Sequence, residues 1–293
     1  MSSPSETPTI PADALRGAFR RACRAELEAL KPGNVHVHGD GHGMTVQDFL
    51  ASADAAAGPL CAPSRPVGAR IRAAVEASWA AVPTNTNLGI VLLAAPLLAA
   101  AEAGADTLRS PLATVLRQLT IADAVDAFAA IRRANPGGLG RSDQQDVGTD
   151  PTVTLLEAMR LAVDRDLIAR QYATDYADVF TTGVPRIEAG RRSGQSPTRT
   201  TTLVFLDFLA GFPDSHIARK FGASVAEGVR AEAERLRGSL PDIENGGIST
   251  LLAFDRSLKE RGLNPGSSAD LTVASLLACE LGDMLAHPAR DKE

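Results

Sequence analysis

Five short loops crowded with Gly, Pro, Asn and Asp each abut an Ala/Leu-rich stretch, and they carry most of the side chains able to do chemistry. They read Lys31-Pro32-Gly33-Asn34-Val35, Asn85-Thr86-Asn87-Leu88-Gly89, Asn135-Pro136-Gly137-Gly138-Leu139-Gly140, Pro213-Asp214-Ser215-His216 and Asn264-Pro265-Gly266-Ser267-Ser268-Ala269-Asp270. Helix capping explains any one of them alone, and Ser267 with Asp270 has the spacing of a capping box. Together they suggest more. A helix start preceded by small residues offers unpaired N–H groups and a favourable dipole to an anion, so several starts gathered at one end of a bundle would cradle a polyphosphate. Neither GxxxxGK[ST] nor a GxGxxG after a strand occurs, which removes the two common nucleotide loops.

Basic residues stand where such a cradle would use them. Lys31 opens the Pro-Gly-Asn turn, and His216, Arg219 and Lys220 have the spacing to share one helix face, which could equally be a solvated surface. Arg191, Arg192 and Arg199 flank a Gly/Ser/Pro segment that reads better as a surface loop. The densest polar run is His36-Val37-His38-Gly39-Asp40-Gly41-His42. Alternate residues of an extended strand point the same way, so His36, His38 and Asp40 could meet one ion, although no second element supplies a further ligand. A Gly-rich loop with hydrogen-bonding histidines is the competing reading. For phosphate chemistry the fitting ion is Mg²⁺, which takes one or two carboxylates plus phosphate oxygens; Asp40, Asp143, Asp146 and Asp150 are candidates.

The elements that must position these loops are helices. Apolar residues recur at helical spacing over 12–30, 46–59, 67–81, 88–103, 121–134, 152–173, 200–209, 223–240, 249–260 and 269–285, and no alternating β-branched run of strand length stands out. Aromatics are only 4% of 293 residues, which also disfavours a sheet. The expectation is an all-α, bundle-like single domain of about ten or more helices over 12–288, after a disordered polar tail at 1–11. A net charge of −5 provides no basic field for nucleic acid. The longest apolar run, 90–101, is interrupted by Pro96 and falls short of a membrane span. Cys23, Cys61 and Cys279 form neither a disulfide framework nor a zinc site. These features point to a cytoplasmic protein acting on small molecules, with homo-oligomerisation open.

Taken together, Glu26 with Lys31-Pro32-Gly33-Asn34-Val35, Met44 with Phe49 and Ser52, Asn85-Thr86-Asn87-Leu88-Gly89, and the block from Asn264 to Leu271 resemble the triphosphoribosyl-dephospho-CoA synthases and their relatives. That family is all-helical. The resemblance implies a magnesium-dependent transfer from ATP, in which a ribose hydroxyl of dephospho-CoA attacks the anomeric carbon and adenine leaves. The oxocarbenium-like state asks for a carboxylate beside it and cations on the triphosphate. On this reading Asp146, Asp40 and His216 carry the chemistry, and Asp146 and Asp143 hold the metal. Nucleotide and phosphates fall to Lys31, Gly33, Asn34, His36, Asn85, Thr86, Asn87, Gly89, Arg219, Lys220, Asn264, Gly266 and Ser268, with His216 adding positive charge. Asn34, Asn85, His216 and Asn264 should then line one concavity. Loss of Lys31 or Lys220 should weaken nucleotide binding without altering stability.

One block departs from the pattern. Where the dephospho-CoA enzymes usually read Asn-Thr-His-Lys-Gly, this chain has Asn87 and Leu88 in place of His and Lys. The Pro213 to Lys220 block and the run from Ala134 to Val147 look more like a branch found in methanogenic archaea and methylotrophic bacteria. That implies, as an alternative, one-carbon cofactor assembly with a different acceptor. A non-catalytic nucleotide-binding helical partner is the reading from another class.

Overall fold

A threonine followed three residues later by an acid marks three of the helix starts. Thr45 with Asp48 opens α2 (Val46–Leu60), Thr120 with Asp123 opens α6 (Ile121–Ala134), and Thr154 with Glu157 opens α7 (Leu155–Arg160). In each, the hydroxyl accepts the N3 backbone N–H while the carboxylate accepts the cap residue's own N–H. The computed structural model describes residues 10–137, 145–239 and 247–287. Asp143, most of the expected tail at 1–11 and the Gly138-Leu139-Gly140 turn lie outside them. Within them the chain forms fourteen α-helices and no β-strand, so the all-α expectation holds.

The first helix, α1 (Ala12–Glu28), packs on α2, while α2 and α3 (Val67–Ala81) pack on each other and against α4 (Leu88–Glu102). Helix α4 is apolar on every side, and all of it except Gly89, Ala99 and Glu102 is buried. An all-round apolar helix belongs at a core. It lies against α14 (Gly266–Ala286), the other central helix. Helices α5 (Arg109–Arg117), α6, α7 and α8 (Leu167–Ala173) close one side. A π-helical turn, Val179–Gly183, leads into α9 (Val184–Arg192), and α10 (Pro197–Gly211) follows. A second apolar cluster is built by Phe205, Leu209, Ile217, Val229, Leu251 and Leu258. It joins α10 to α11 (Ser215–Phe221), α12 (Ala223–Ser239) and α13 (Gly247–Glu260).

The structure corrects the helix map in several places. The stretch 152–173 is two short helices, because the Asp166 side chain accepts from Ile168 and Ala169 N–H and starts α8 afresh. Helices α5 and α9 lie outside the stretches with helical spacing, whereas α11 bears out the shared helix face of His216, Arg219 and Lys220. Helix α14 begins at Gly266 with Pro265 as its cap residue, so Ser267 and Asp270 do not form a capping box. The Ser267 hydroxyl instead meets that of Ser215 at 2.7 Å.

Pro96 sits inside α4, where its missing N–H orphans the carbonyl four residues earlier, that of Leu92. The fully buried Tyr172 hydroxyl donates to that oxygen at 2.6 Å, and Tyr176 donates to Leu93 O at 3.0 Å. Tyr172→Phe would leave a buried carbonyl unsatisfied and is expected to lower stability by about 1–3 kcal/mol. Urea unfolding monitored by circular dichroism checks it; no change in midpoint would mean that water or a shift of α4 satisfies the carbonyl.

Candidate active site

Helices α4 and α14 both begin, and α1 and α6 both end, around a cavity of about 580 Å³. One wall is apolar, with Phe49, Trp79, Phe128, Ile131 and Met159. The polar part of the lining includes Glu26, Asn34, Asn264, Asp270, His216, Arg219 and Lys220. The volume is that of an ordinary small-molecule site, and the mix of apolar and polar lining suits a ligand that carries both a base or cofactor ring and anionic groups. Two starts of long helices facing one space add their N–H groups to the cations.

Of the residues singled out in the sequence, Asn34, Asn85, Thr86, Gly89, Asp146, His216, Arg219, Lys220, Asn264 and Gly266 line this cavity. The four loops expected to share a concavity do meet there. Asn34 donates from Nδ2 to Asn264 Oδ1 at 2.8 Å, joining the first loop to the last. Asn85 Oδ1 accepts the Leu88 N–H at 3.3 Å and so steadies the start of α4. Thr86 donates to Ser52 Oγ at 2.6 Å. Two glycines act by what they lack. A Cβ on Gly89 would overlap the Asp270 carboxyl, and one on Gly266 would overlap the His216 ring.

Several expected contacts are placed otherwise. Lys31 is fully buried and does not line the cavity; its Nζ donates to Glu26, to Asn34 Oδ1 at 2.8 Å and to Val35 O at 2.6 Å. Its three donors are thus consumed, so it positions Asn34 and Glu26 and is not a phosphate ligand. Gly33, at φ +82°, gives its N–H to Asp255 Oδ1 at 2.8 Å, which leaves none for an anion. His36 is buried beside the same carboxylate, its Nε2 3.2 Å from Asp255 Oδ1. Its Nδ1 accepts the His38 N–H at 3.2 Å, so the remaining proton sits on Nε2 and faces Asp255. Burial holds this imidazole below its ordinary range despite Asp255. Lys259 completes the cluster, 3.1 Å from Asp255 Oδ2 and donating to Gly39 O at 2.9 Å.

Asp40 is exposed, is not among the cavity-lining residues, and accepts the Val46 N–H at 3.3 Å, which makes it an accessory cap and not a catalytic group. Asn87 turns into the core, its Nδ2 donating to Ser78 Oγ at 3.0 Å, while Leu88 faces the cavity. Ser268 is buried and gives both its N–H and its hydroxyl to Asp214 Oδ2, at 2.8 and 2.9 Å. Asp214 Oδ1 meanwhile accepts from His216 and Ile217 N–H, so one buried carboxylate ties the starts of α11 and α14 together. Burial pushes that carboxyl up, against the four hydrogen bonds.

His216 is also not the cation expected of it. Burial, then Arg219, Lys220 and His42, push its pKa down to about 3, so the ring is neutral at physiological pH. Positive charge near α11 rests on Arg219, held by Asp166 Oδ2 at 2.6 Å, and on the exposed Lys220, whose side chain crosses Gly137. His42 enters the cavity from the polar loop, with Nε2 donating to Gly33 O at 2.8 Å.

The sequence reading gave no separate role to Glu26, Asp166 or Asp270, or to the apolar wall. Glu26 occurs in a helix interior, where an acid ordinarily faces solvent, and only its burial at the mouth of the Lys31 loop distinguishes it. Asp270 was masked by its capping-box spacing. Among the described residues no three His, Cys, Asp or Glu side chains gather as metal ligands. Asp146 is a cavity-wall carboxylate and accepts the Gly148 N–H at 2.7 Å.

Comparison with known proteins places the chain in a family. The chain is 30% identical over 110 residues to an Albidiferax ferrireducens protein assigned as a 2-(5''-triphosphoribosyl)-3'-dephosphocoenzyme-A synthase. That match spans 38% of this chain and 36% of the relative, about a third of its length. The crystal structure of an Archaeoglobus fulgidus protein assigned as a triphosphoribosyl-dephospho-CoA synthase has the same fold, with a TM-score of 0.61 and 24% identity over 79% of this chain and 97% of that one. The sequence profile of the CitG family, described as ATP:dephospho-CoA triphosphoribosyl transferase, matches residues 12–288, which takes in every helix and every wall of the cavity. The chain belongs to the CitG family of transferases.

Proposed function

We propose that this protein is an ATP-dependent transferase that moves a triphosphoribosyl group from ATP to a hydroxyl of a cofactor-like acceptor. The observation that carries this reading is the single cavity in which the α4 and α14 starts and the α11 cations face an apolar wall. Phosphates belong at the helix starts with Arg219 and Lys220, and the adenine against Trp79 and Phe128. Magnesium enters with ATP as part of the substrate, neutralising triphosphate charge, and Asp146 is the cavity-wall carboxylate suited to meet it. The family description supplies dephospho-CoA as the first acceptor to test. Leu88 favours a second reading, with a different acceptor, because an apolar side chain lines the cavity where the resembled Asn-Thr-His-Lys-Gly pattern has a lysine. We place the activity in the cytoplasm and assign it to one domain over residues 12–288.

Incubation with ATP, Mg²⁺ and a panel of acceptors, dephospho-CoA first, is expected to release adenine. Release of phosphate or AMP with no adenine would reject the transfer. Lys220→Ala should weaken nucleotide binding about 5- to 150-fold, the loss of one charged hydrogen bond of about 1–3 kcal/mol. Its exposed ammonium contributes little to folding, so the thermal midpoint without nucleotide should hold. Calorimetric titration with MgATP checks this, and unchanged affinity would remove Lys220 from the site.

A further inference from the structure

The buried carboxylates of the described residues, Glu26, Asp123, Asp178, Asp207, Asp214 and Asp255, are all engaged by hydrogen bonds or cations. Asp270 differs. It is part-buried in the cavity wall in the first turns of α14, and among the described residues no hydrogen bond or ion pair holds it. A part-buried carboxyl that lines a cavity and has no partner among the described residues is open to a reacting one. The start of α4 is shaped around it, since Gly89 is the position whose Cβ would overlap the Asp270 carboxyl. The carboxyl thus sits against the start of α4 on the cavity lining, with no group among the described residues to satisfy it.

We propose that Asp270 is the general acid of the transfer, protonating a ring nitrogen of the departing base as its bond to the anomeric carbon breaks. The proposal rests on the transferase reading above. The bond from anomeric carbon to base nitrogen breaks with its electron pair on the base, and the Asp270 O–H proton goes to a base ring nitrogen. The acceptor oxygen forms the new bond to the anomeric carbon and releases its proton to solvent, from which the Asp270 carboxylate is reprotonated. The net change is one proton moved from acceptor to base. The surroundings keep the acid loaded. Burial holds Asp270 well above the usual carboxylate range, and Asp214 before α11, Glu26 on α1 and Asp166 before α8 add to this, with Arg219 opposing. A neutral carboxylic acid at pH 7 is what such a step requires.

Two measurements test it. Infrared difference spectra of the wild type against Asp270→Asn, near-isosteric with the neutral acid, should show a protonated carboxyl at pH 7 that the variant lacks. An ionised Asp270 would overturn the proposal whatever the activity. In single-turnover assays with ATP, Asp270→Asn should slow base release about 100- to 10,000-fold, the usual contribution of a general acid. With 7-methyl-ATP, whose base leaves without further protonation, the variant should recover to within a few-fold of wild type. Equal losses with both nucleotides, or no loss with ATP, would overturn the acid role. Failure of the wild type to release adenine with any of the acceptors tested would instead reject the transferase reading, and it is distinguishable because no variant is involved.

Discussion

Replacing Lys31 by alanine is expected to destabilise the fold by about 3–5 kcal/mol, the cost of stranding one partner of a buried ion pair. Neither side chain has water to fall back on, with exposures of 0% for Lys31 and 4% for Glu26. Burial pushes Glu26 up and Lys31 down; their mutual contact opposes both shifts, and Asp270 adds a smaller opposing effect on Lys31. Removal of the ammonium also frees Asn34 Oδ1 and Val35 O, so the loop that delivers Asn34 to Asn264 loses its anchor. Urea unfolding of Lys31→Ala would measure the loss. The double variant Lys31→Met with Glu26→Gln should recover most of it, because no charge is then left buried. A single-variant loss below about 1 kcal/mol would show that Glu26 finds water or another donor.

Lys31 also marks where sequence reading reaches its limit. Lys-Pro-Gly-Asn is visible as a turn feeding a site, and Asn34 does face the cavity. Whether a lysine points at solvent, ligand or core depends on what stands across from it, and Glu26 lies one helix turn back on a face no spacing rule marks as internal. The same holds at His36 and Gly33, whose partner Asp255 is more than two hundred residues away on α13. Helix spans follow from local periodicity, so α2, α3, α4 and α6 agree with the reading to within a residue or so. The break between α7 and α8 falls at Asp166, whose Oδ1 caps α8 while its Oδ2 holds Arg219, and apolar spacing running across 152–173 hides that local cap. Convergence of four loops on one cavity was legible from their shared chemistry; the exposure of each side chain within it was not.

His216 provides the second large effect, through pH. Its folded pKa of about 3 lies below the ordinary histidine value of 6.5, so between these the unfolded chain carries a proton that the folded chain excludes. The contribution is complete above pH 6.5 and is lost as pH falls toward 3, at about 1.4 kcal/mol per unit. From pH 7 to pH 4.5, wild type should therefore lose about 2–3 kcal/mol more stability than His216→Gln, which has nothing to titrate at that position. Other carboxyls that titrate in this range cancel in the comparison. Urea unfolding of both proteins at the two pH values is the measurement, and equal losses would mean that the folded ring takes up its proton freely. The structure gives the reason it should not. Gly266 leaves the imidazole packed on the start of α14, Arg219 and Lys220 stand one turn along the same helix, and the first turn of α11 disfavours a cation. A ring so placed can give or take a hydrogen bond with a bound substrate, but attraction for a triphosphate is left to the arginine and lysine beside it.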